Sequence, residues 1–512
     1  MIGRIAAIVR ADFLIRFRRL STVVVFLLLS AMAYLWVPDP RTGRALIEID
    51  GHRAVYNSAA IGMATALLGT IFIGLFGFYV ISNAIRRDVQ SRCGFVIAST
   101  TMRSSEYLIG KFVGNVVFLA TFVGGYMLTS MAMLVVRGEA PLEPWTFFQQ
   151  YLYTIPPTIV FVSALAILFE SIPWLAGKFG DVVYFFLWAT SLGVVASMLE
   201  KGGNPGVLGF FDFSGFGYLM DQMHSAFHTN ALAIGSTTFD ATKSTIVFTG
   251  LTMPTMWMVR RIGSMFLPLP LLAVALLFFH RFDPVRVRKS ADKGRRNWLG
   301  RINMLFKPFA RAMFALGTRA SATPTLVRSA LAEAMTAITT APISLAIAGF
   351  LVVAAIGRAS ELVPIGLAAL GILLADVPTR ERRAGTTGLV YSAPHLRSGF
   401  VFWKLLAMVL LSIVLLIGPI VRTPTLQLAV GILFTCAGAV ALGVISGNPK
   451  TFIVAYLSFW YLATNDKGHT PSLDFAGAYG KATPSVTLAY LGIAVLFIIA
   501  AQAMHTWRLR RA

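Results

Sequence analysis

Asp221, His224 and His228 stand at i, i+3 and i+7, a spacing that places all three on one face of a helix, as a metal ion would need. No glutamate adjoins them to serve as a base, and a surface helix whose polar face carries two histidines accounts for the pattern. No metal site is expected. A second pattern, Gly477-Ala-Tyr-Gly480-Lys481-Ala-Thr483, approaches a phosphate loop but has Phe475 where the first glycine belongs. Ser, His and Asp elsewhere show no spacing that singles out a nucleophile. The two cysteines, Cys93 and Cys436, give no disulfide or metal framework. The chain is therefore not expected to be an enzyme or to hold a cofactor of its own.

The most informative charged residues occur twice. Shifting the segment 87–111 by 293 positions superposes Arg87 on Arg380, Asp88 on Glu381, Ser99 on Ser392, Ser105 on Ser398, Tyr107 on Phe400 and Lys111 on Lys404. Arg86 and Arg92 belong to the first copy, and Arg382 and Arg383 to the second. Each copy follows one long apolar run and leads into another, the pattern of two docking surfaces in a duplicated membrane protein. The arginines would orient a partner by charge, with Phe95, Tyr107, Leu389 and Phe400 as apolar anchors.

These segments need helices that cross a bilayer to hold them. Of the 512 residues, 56% are hydrophobic and only 13% charged, which excludes an ordinary soluble protein. The fold class expected is all-α and polytopic. Apolar runs predict spans at 21–37, 59–80, 112–136, 155–169, 182–198 and 262–279, then at 343–356, 362–375, 405–420, 426–445, 452–463 and 486–500, about twelve in all. The net charge of +22 resides between these runs, where it orients spans and meets anionic headgroups; no nucleic-acid partner is expected.

Residues 281–328 carry twelve Lys or Arg against Asp283 and Asp292, so this stretch should be cytoplasmic. The C-terminal Trp-Arg-Leu-Arg-Arg-Ala and both repeated segments agree, and both termini follow to the same side. Arg260 and Arg261, on the outer side of this topology, run against the rule. At the N-terminus Arg4, Arg10, Arg16, Arg18 and Arg19 interleave with Ile2, Ile5, Val9, Phe13 and Phe17, which predicts an amphipathic helix lying on the cytoplasmic leaflet rather than a cleavable signal. The expected organisation is a first six-span domain over 1–280, a basic linker over 281–322 and a second six-span domain over 323–512.

The duplication extends further. Val9-Arg10 resembles Val327-Arg328, and Asp212-Phe213-Ser-Gly215 resembles Asp474-Phe475-Ala-Gly477. The offsets fall from 318 to 293 to 262, so the first half must hold extra residues in loops, with 38–58 and 200–261 as the candidates.

In these features the chain resembles the membrane subunits of class-two (ABC-2 type) ATP-binding-cassette exporters. The resemblance is carried by Arg87-Asp88, Ser99-Thr100-Thr101, Tyr107 and Gly110-Lys111, and again by Arg380-Glu381, Ser392-Ala393-Pro394, Phe400 and Trp403-Lys404. The Asp-Phe-Ser-Gly and Asp-Phe-Ala-Gly pairs resemble that family's outer loop. It implies two fused six-span units in a bacterial inner membrane, each docking one copy of a cytoplasmic ATPase that supplies ATP and Mg. Leu396 and Gly399 replace Arg103 and Glu106, so the two docking surfaces should not be equivalent.

An ion-coupled secondary transporter would also show two six-span halves, but it needs ionisable groups near the midplane. Glu170, Asp181 and Asp376 all fall at the ends of apolar runs. The scarcity of buried charge leaves hydrophobic or amphipathic cargo, such as a peptide, lipid or drug, as the expected substrate class.

Overall fold

The computed structural model describes residues 2–18, 20–200, 206–227, 232–279, 326–338, 341–355, 362–422 and 424–511, with Phe282 and a few positions between 308 and 319. His228 and most of the basic linker lie outside the described residues. The chain divides into two compact units, Met1–Arg288 and Lys289–Ala512. It is mostly helical, and among the described residues seven helices are long and apolar enough to cross a membrane: Ser58–Gln90, Ser104–Arg137, Pro144–Ser171, Thr255–Phe278, Leu362–Ala384, Leu426–Ser446 and Pro484–Arg511. Val25–Trp36 and Phe400–Leu415 are shorter apolar helices at two further expected spans.

In the first unit, α1 (Ile2–Phe17) and α2 (Leu20–Trp36) precede β1 (Arg44–Ile49) and β2 (His52–Arg53). Next come α3 (Ser58–Phe72), α4 (Phe78–Ile81), α5 (Ala84–Gln90), α6 (Cys93–Ser99) and the long α7 (Ser104–Arg137). The unit closes with α8 (Pro144–Ser171), α9 (Lys178–Glu200), α10 (Phe216–Phe227), β3 (Leu232–Thr238), α11 (Thr255–Phe266) and α12 (Pro270–Phe278). Between α3 and α4, Ile73–Gly77 forms a π-helical turn, which releases the backbone from its regular ladder.

The N-terminal helix, expected to lie on the leaflet, instead stands alongside α7. Ile8 packs on Gly110, Asp12 pairs with Lys111, Phe26 packs on Gly125, Ser30 accepts a hydrogen bond from Thr129, and Arg137 donates to the carbonyls of Tyr34 and Val37. All these pairs are separated by close to 100 positions, so α1 and then α2 run parallel to α7 along its length. At 34 residues α7 is about 51 Å long, well beyond the ~30 Å hydrocarbon core. Its lower third is thus free to stand outside the hydrocarbon, and α1 pairs with that third.

Loops 38–58 and 200–261, where the extra residues of the first half were expected, fold together. β1 pairs antiparallel with both β2 and β3 in a sheet of order β2-β1-β3, burying Leu46, Ile47 and Ile49. This sheet departs from the all-helical expectation. Glu139, just past α7, clamps Arg53 of β2 through two bonds of 2.6 and 2.7 Å and accepts the Tyr56 amide.

The second unit comprises α13 (Leu326–Ile338), α14 (Ala341–Ala355), α15 (Leu362–Leu374), the short α16 (Arg380–Ala384), α17 (Thr387–Tyr391) and α18 (Pro394–Ser398), then α19 (Phe400–Leu415), α20 (Ile417–Arg422), α21 (Leu426–Ser446), α22 (Pro449–Asp466) and α23 (Pro484–Arg511). The fifth helices of the units share an anchor absent from the expectations above. Tyr184 of α9 donates its hydroxyl to the Gly74 carbonyl, and Tyr456 of α22 donates to Leu367 at 3.0 Å. Gly74 and Leu367 are themselves 293 apart, and Trp188 and Trp460 follow each tyrosine by one turn.

Candidate functional site

The repeated charges converge on a buried lysine in each unit. Lys111 of α7 is 2% exposed; its Nζ lies 2.8 Å from Asp12 of α1 and 2.7 Å from Asp88 of α5. Arg87 reaches Asp12 at 2.6 Å, Arg16 approaches the same carboxylate at 3.6 Å, and the Tyr107 hydroxyl donates to Asp88 at 2.8 Å. In the second unit Lys404 of α19 is fully buried, 2.9 Å from Glu333 of α13 and hydrogen-bonded to Glu381 of α16. Arg380 approaches Glu333 at 3.6 Å and Asp376 at 3.8 Å.

Three elements are therefore tied together in the same way twice: the leading helix, the short-helix segment and the third long helix. A lysine between two carboxylates suits this place because an ammonium with three donors can satisfy both acids at once. Burial raises the pKa of Asp12, but Lys111, Arg16 and Arg87 outweigh it and hold the carboxyl below its ordinary value. The clusters differ in charge. Asp12 and Asp88 face Lys111, Arg87 and Arg16, whereas Glu333, Glu381 and Asp376 face Lys404 and Arg380. Ala337 and Asn83 stand at the repeat positions of Arg16 and Asp376.

This geometry divides the expected docking residues into two sets. Asp88, Lys111, Tyr107, Phe400 and Lys404 are buried, while Arg87, Arg380 and Glu381 are partly buried within the clusters, so their charges serve internal pairs first. Tyr107 stacks on Phe279 and Phe400 on His505, so neither is an exposed anchor. The outward set is Arg86, Arg92, Phe95 and Val96 in the first unit, and Arg382, Arg383 and Leu389 in the second. Val96 and Leu389, 66% and 77% exposed, are again 293 apart.

The backbone of the segment repeats as well. Arg92 has φ +61° and Gly385, its repeat partner, φ +71°. A residue with a side chain stands in the left-handed region where the other copy has glycine. Glu170 supports the first segment from beneath, accepting the amides of Ala84, Ile85 and Arg86 at 3.0, 2.6 and 3.3 Å. The departure at Glu106 and Gly399 also has a physical account. Glu106 accepts the Arg103 amide and pairs with Arg4, while Gly399 leaves room for the Leu326 side chain.

At the far end of each unit the second repeated motif builds a turn. Asp212 is buried and accepts the amides of Gly215 and Tyr218 at 2.8 and 3.2 Å; Asp474, also buried, accepts those of Tyr479, Lys481 and Ala482. Phe213 stacks on Phe161 at 4.1 Å and Phe475 packs against Phe434 at 5.8 Å, each on the fourth long helix of its unit. Gly215 and Gly477 both adopt positive φ. Arg261 donates to the carbonyls of Tyr153, Thr154 and Asp212, which explains its place against the charge rule. Asp221 accepts a hydrogen bond from Trp257 at 3.1 Å, and His224 lies on the same helix, α10; no group of three metal-binding side chains occurs among the described residues.

The chain matches no family model, no curated protein and no solved structure.

Proposed function

We propose that this chain is the permease subunit of an ATP-driven exporter of the ABC-2 class, with twelve spans in two six-span units and both termini in the cytoplasm of a bacterial cell. It forms the translocation pathway for a hydrophobic or amphipathic substrate. Separate ATPase subunits, one per unit, bind ATP and Mg and dock at the short-helix segments.

The observation that carries this reading is the duplicated lysine cluster. Membrane helices seldom bury charge, and each buried pair is costly to break. Two such clusters joining the same three elements support a mechanical role: a push on the short helices passes as a rigid-body movement to α1 and α7, or to α13 and α19. The exposed arginines and apolar side chains of the same segments offer a surface on which a partner could push. The rival proton-coupled reading would use Glu170 or Asp376, whose carboxylates are engaged with backbone amides and with Arg380.

The test is purification of the tagged chain in mild detergent from its host, with mass spectrometry of what accompanies it. A soluble protein bearing a phosphate loop, near two copies per chain, is the expected result. Its reproducible absence from intact, folded chain overturns the proposal.

A further inference from the structure

We propose that each unit binds one anionic phospholipid at the end that carries its lysine cluster, with the phosphate on a single arginine and an acyl chain in an adjoining apolar groove. In the first unit a groove of about 510 Å³ runs between α1 and α7, walled by Ile2, Ile5, Val9, Phe13, Val113 and Val117, with Arg10 partway along it. In the second a groove of about 520 Å³ runs beside α19 and α23, walled by Phe402, Ile499 and Trp507, with Arg510 on its edge.

Three observations select this occupant. The first is charge. Arg10 and Arg510 are exposed, and among the described residues neither makes an ion pair, unlike Arg87 and Arg380 nearby. A cation without an acidic partner beside an apolar wall, reinforced in the second unit by Arg511 stacked on Trp507, complements an amphiphile with an anionic head.

The second is depth. Arg10 lies next to Val9 and Asp12, which pack at Gly114 and Lys111, whereas Val117 and Thr121 extend the groove about 10 Å further along α7. If Arg137 marks the opposite boundary, a ~30 Å hydrocarbon core reaches down to about residue 117. That sets Arg10 at headgroup level and the Val117–Thr121 end of the groove among acyl chains, with the Ile2–Ile5 end on the headgroup side.

The third is the wall chemistry of the second groove. Trp507, 47% exposed, sits one turn from Arg510, and Ile498 and Ile499 lie two turns further into the apolar run. A cation outermost, an indole at the boundary with Arg511 stacked on it, and branched aliphatics within match in order the phosphate, glycerol interface and acyl chain of a phospholipid. A peptide segment would need polar partners along the groove; the first groove's lining offers Thr121 and Arg10, and in the second Gln502 and Thr506 already donate to the Ser398 and Gln502 carbonyls.

The proposal stands whether or not the chain is an exporter, since it needs only the bilayer. Its test is native mass spectrometry of the full chain released from nanodiscs containing phosphatidylglycerol and phosphatidylcholine in equal amounts. Two phosphatidylglycerol molecules per chain should survive activation that strips phosphatidylcholine. Arg10→Gln and Arg510→Gln should each remove one, with about a fivefold loss of affinity, and the double variant should remove both. Val117→Trp, which fills the first groove without altering charge, should displace the same lipid as Arg10→Gln. Equal retention of the two lipids, or unchanged retention in the arginine and groove-filling variants, overturns the proposal.

Discussion

The ammonium of Lys111 lies 2.7 Å from the carboxylate of Asp88, and both side chains are buried where a helix that leads the chain meets one that crosses it. Because Asp12 shares the same lysine, removing the ammonium takes the most deeply buried cation of the cluster from two buried acids at once. Lys111→Met should cost about 3–5 kcal/mol, the usual penalty for breaking a buried pair from one side. Replacing the whole cluster, Asp12→Asn, Asp88→Asn, Lys111→Met, Arg16→Met and Arg87→Met, should recover most of that loss, because none of its charges is then left without a partner. Thermal unfolding followed by size exclusion checks both. A whole-cluster variant no better than Lys111→Met would show that the cluster acts by packing alone.

The same cluster should be sensitive to acid. Asp12 is held below its ordinary pKa, so its contribution is fully present above the unfolded value of about 3.9 and is lost as pH falls through the lower folded value. The melting temperature of the wild type should therefore fall more steeply with acidification below about pH 4 than that of Asp12→Asn. Parallel curves would remove Asp12 from the acid response.

Much of this site was legible in the sequence because the lysine, the adjacent acid and the arginine recur at one offset. Their partners were not. Asp12 and Glu333 are 321 positions apart, whereas the match of Val9-Arg10 with Val327-Arg328 pointed to 318, nearly one helical turn away. A turn decides which face a side chain occupies. The sheet was hidden for another reason: β1 and β3 are separated by most of the first unit, and non-local pairing leaves no periodic trace. The Tyr184–Trp188 and Tyr456–Trp460 pairs were present as a repeated spacing 272 positions apart, but both lie inside apolar runs where aromatic residues carry little contrast.

Those tyrosines make a clean test of the internal repeat. Each places one buried hydroxyl on a carbonyl of the second long helix, so Tyr184→Phe and Tyr456→Phe should each cost about 1 kcal/mol. As they lie in separate units with no shared partner, the double variant should show the sum. A loss confined to one of them would mean that the two anchors do not bear equal weight.

The glycines of the Asp212 and Asp474 turns should resist substitution. Gly215 and Gly477 have φ of +82° and +67°, a region costing an L-residue about 1–2 kcal/mol. A side chain at Gly477 would also meet Gln427, whose Cβ lies 2.7 Å from the position of the added atom, whereas Gly215 has nothing nearer than 3.5 Å. Gly477→Ala should thus destabilise more than Gly215→Ala in the same unfolding measurement.

Arg92 separates folding from docking. It holds a left-handed backbone, φ +61°, at the repeat position of Gly385, and its side chain is exposed. The fold would be served at least as well by glycine, since the strain of an L-residue there exceeds the extra chain entropy of glycine by up to about 1 kcal/mol. A side chain kept at such a position is expected to act on something outside the chain. Arg92→Gly should therefore leave the melting temperature unchanged or raise it by a few degrees, while weakening association with the proposed ATPase partner. Arg87→Gly should do the reverse of the first effect and destabilise, because Arg87 is bonded to Asp12 at 2.6 Å. Equal stability and unchanged ATPase association in Arg92→Gly would take this arginine, and with it the exposed face of the first segment, out of the docking surface.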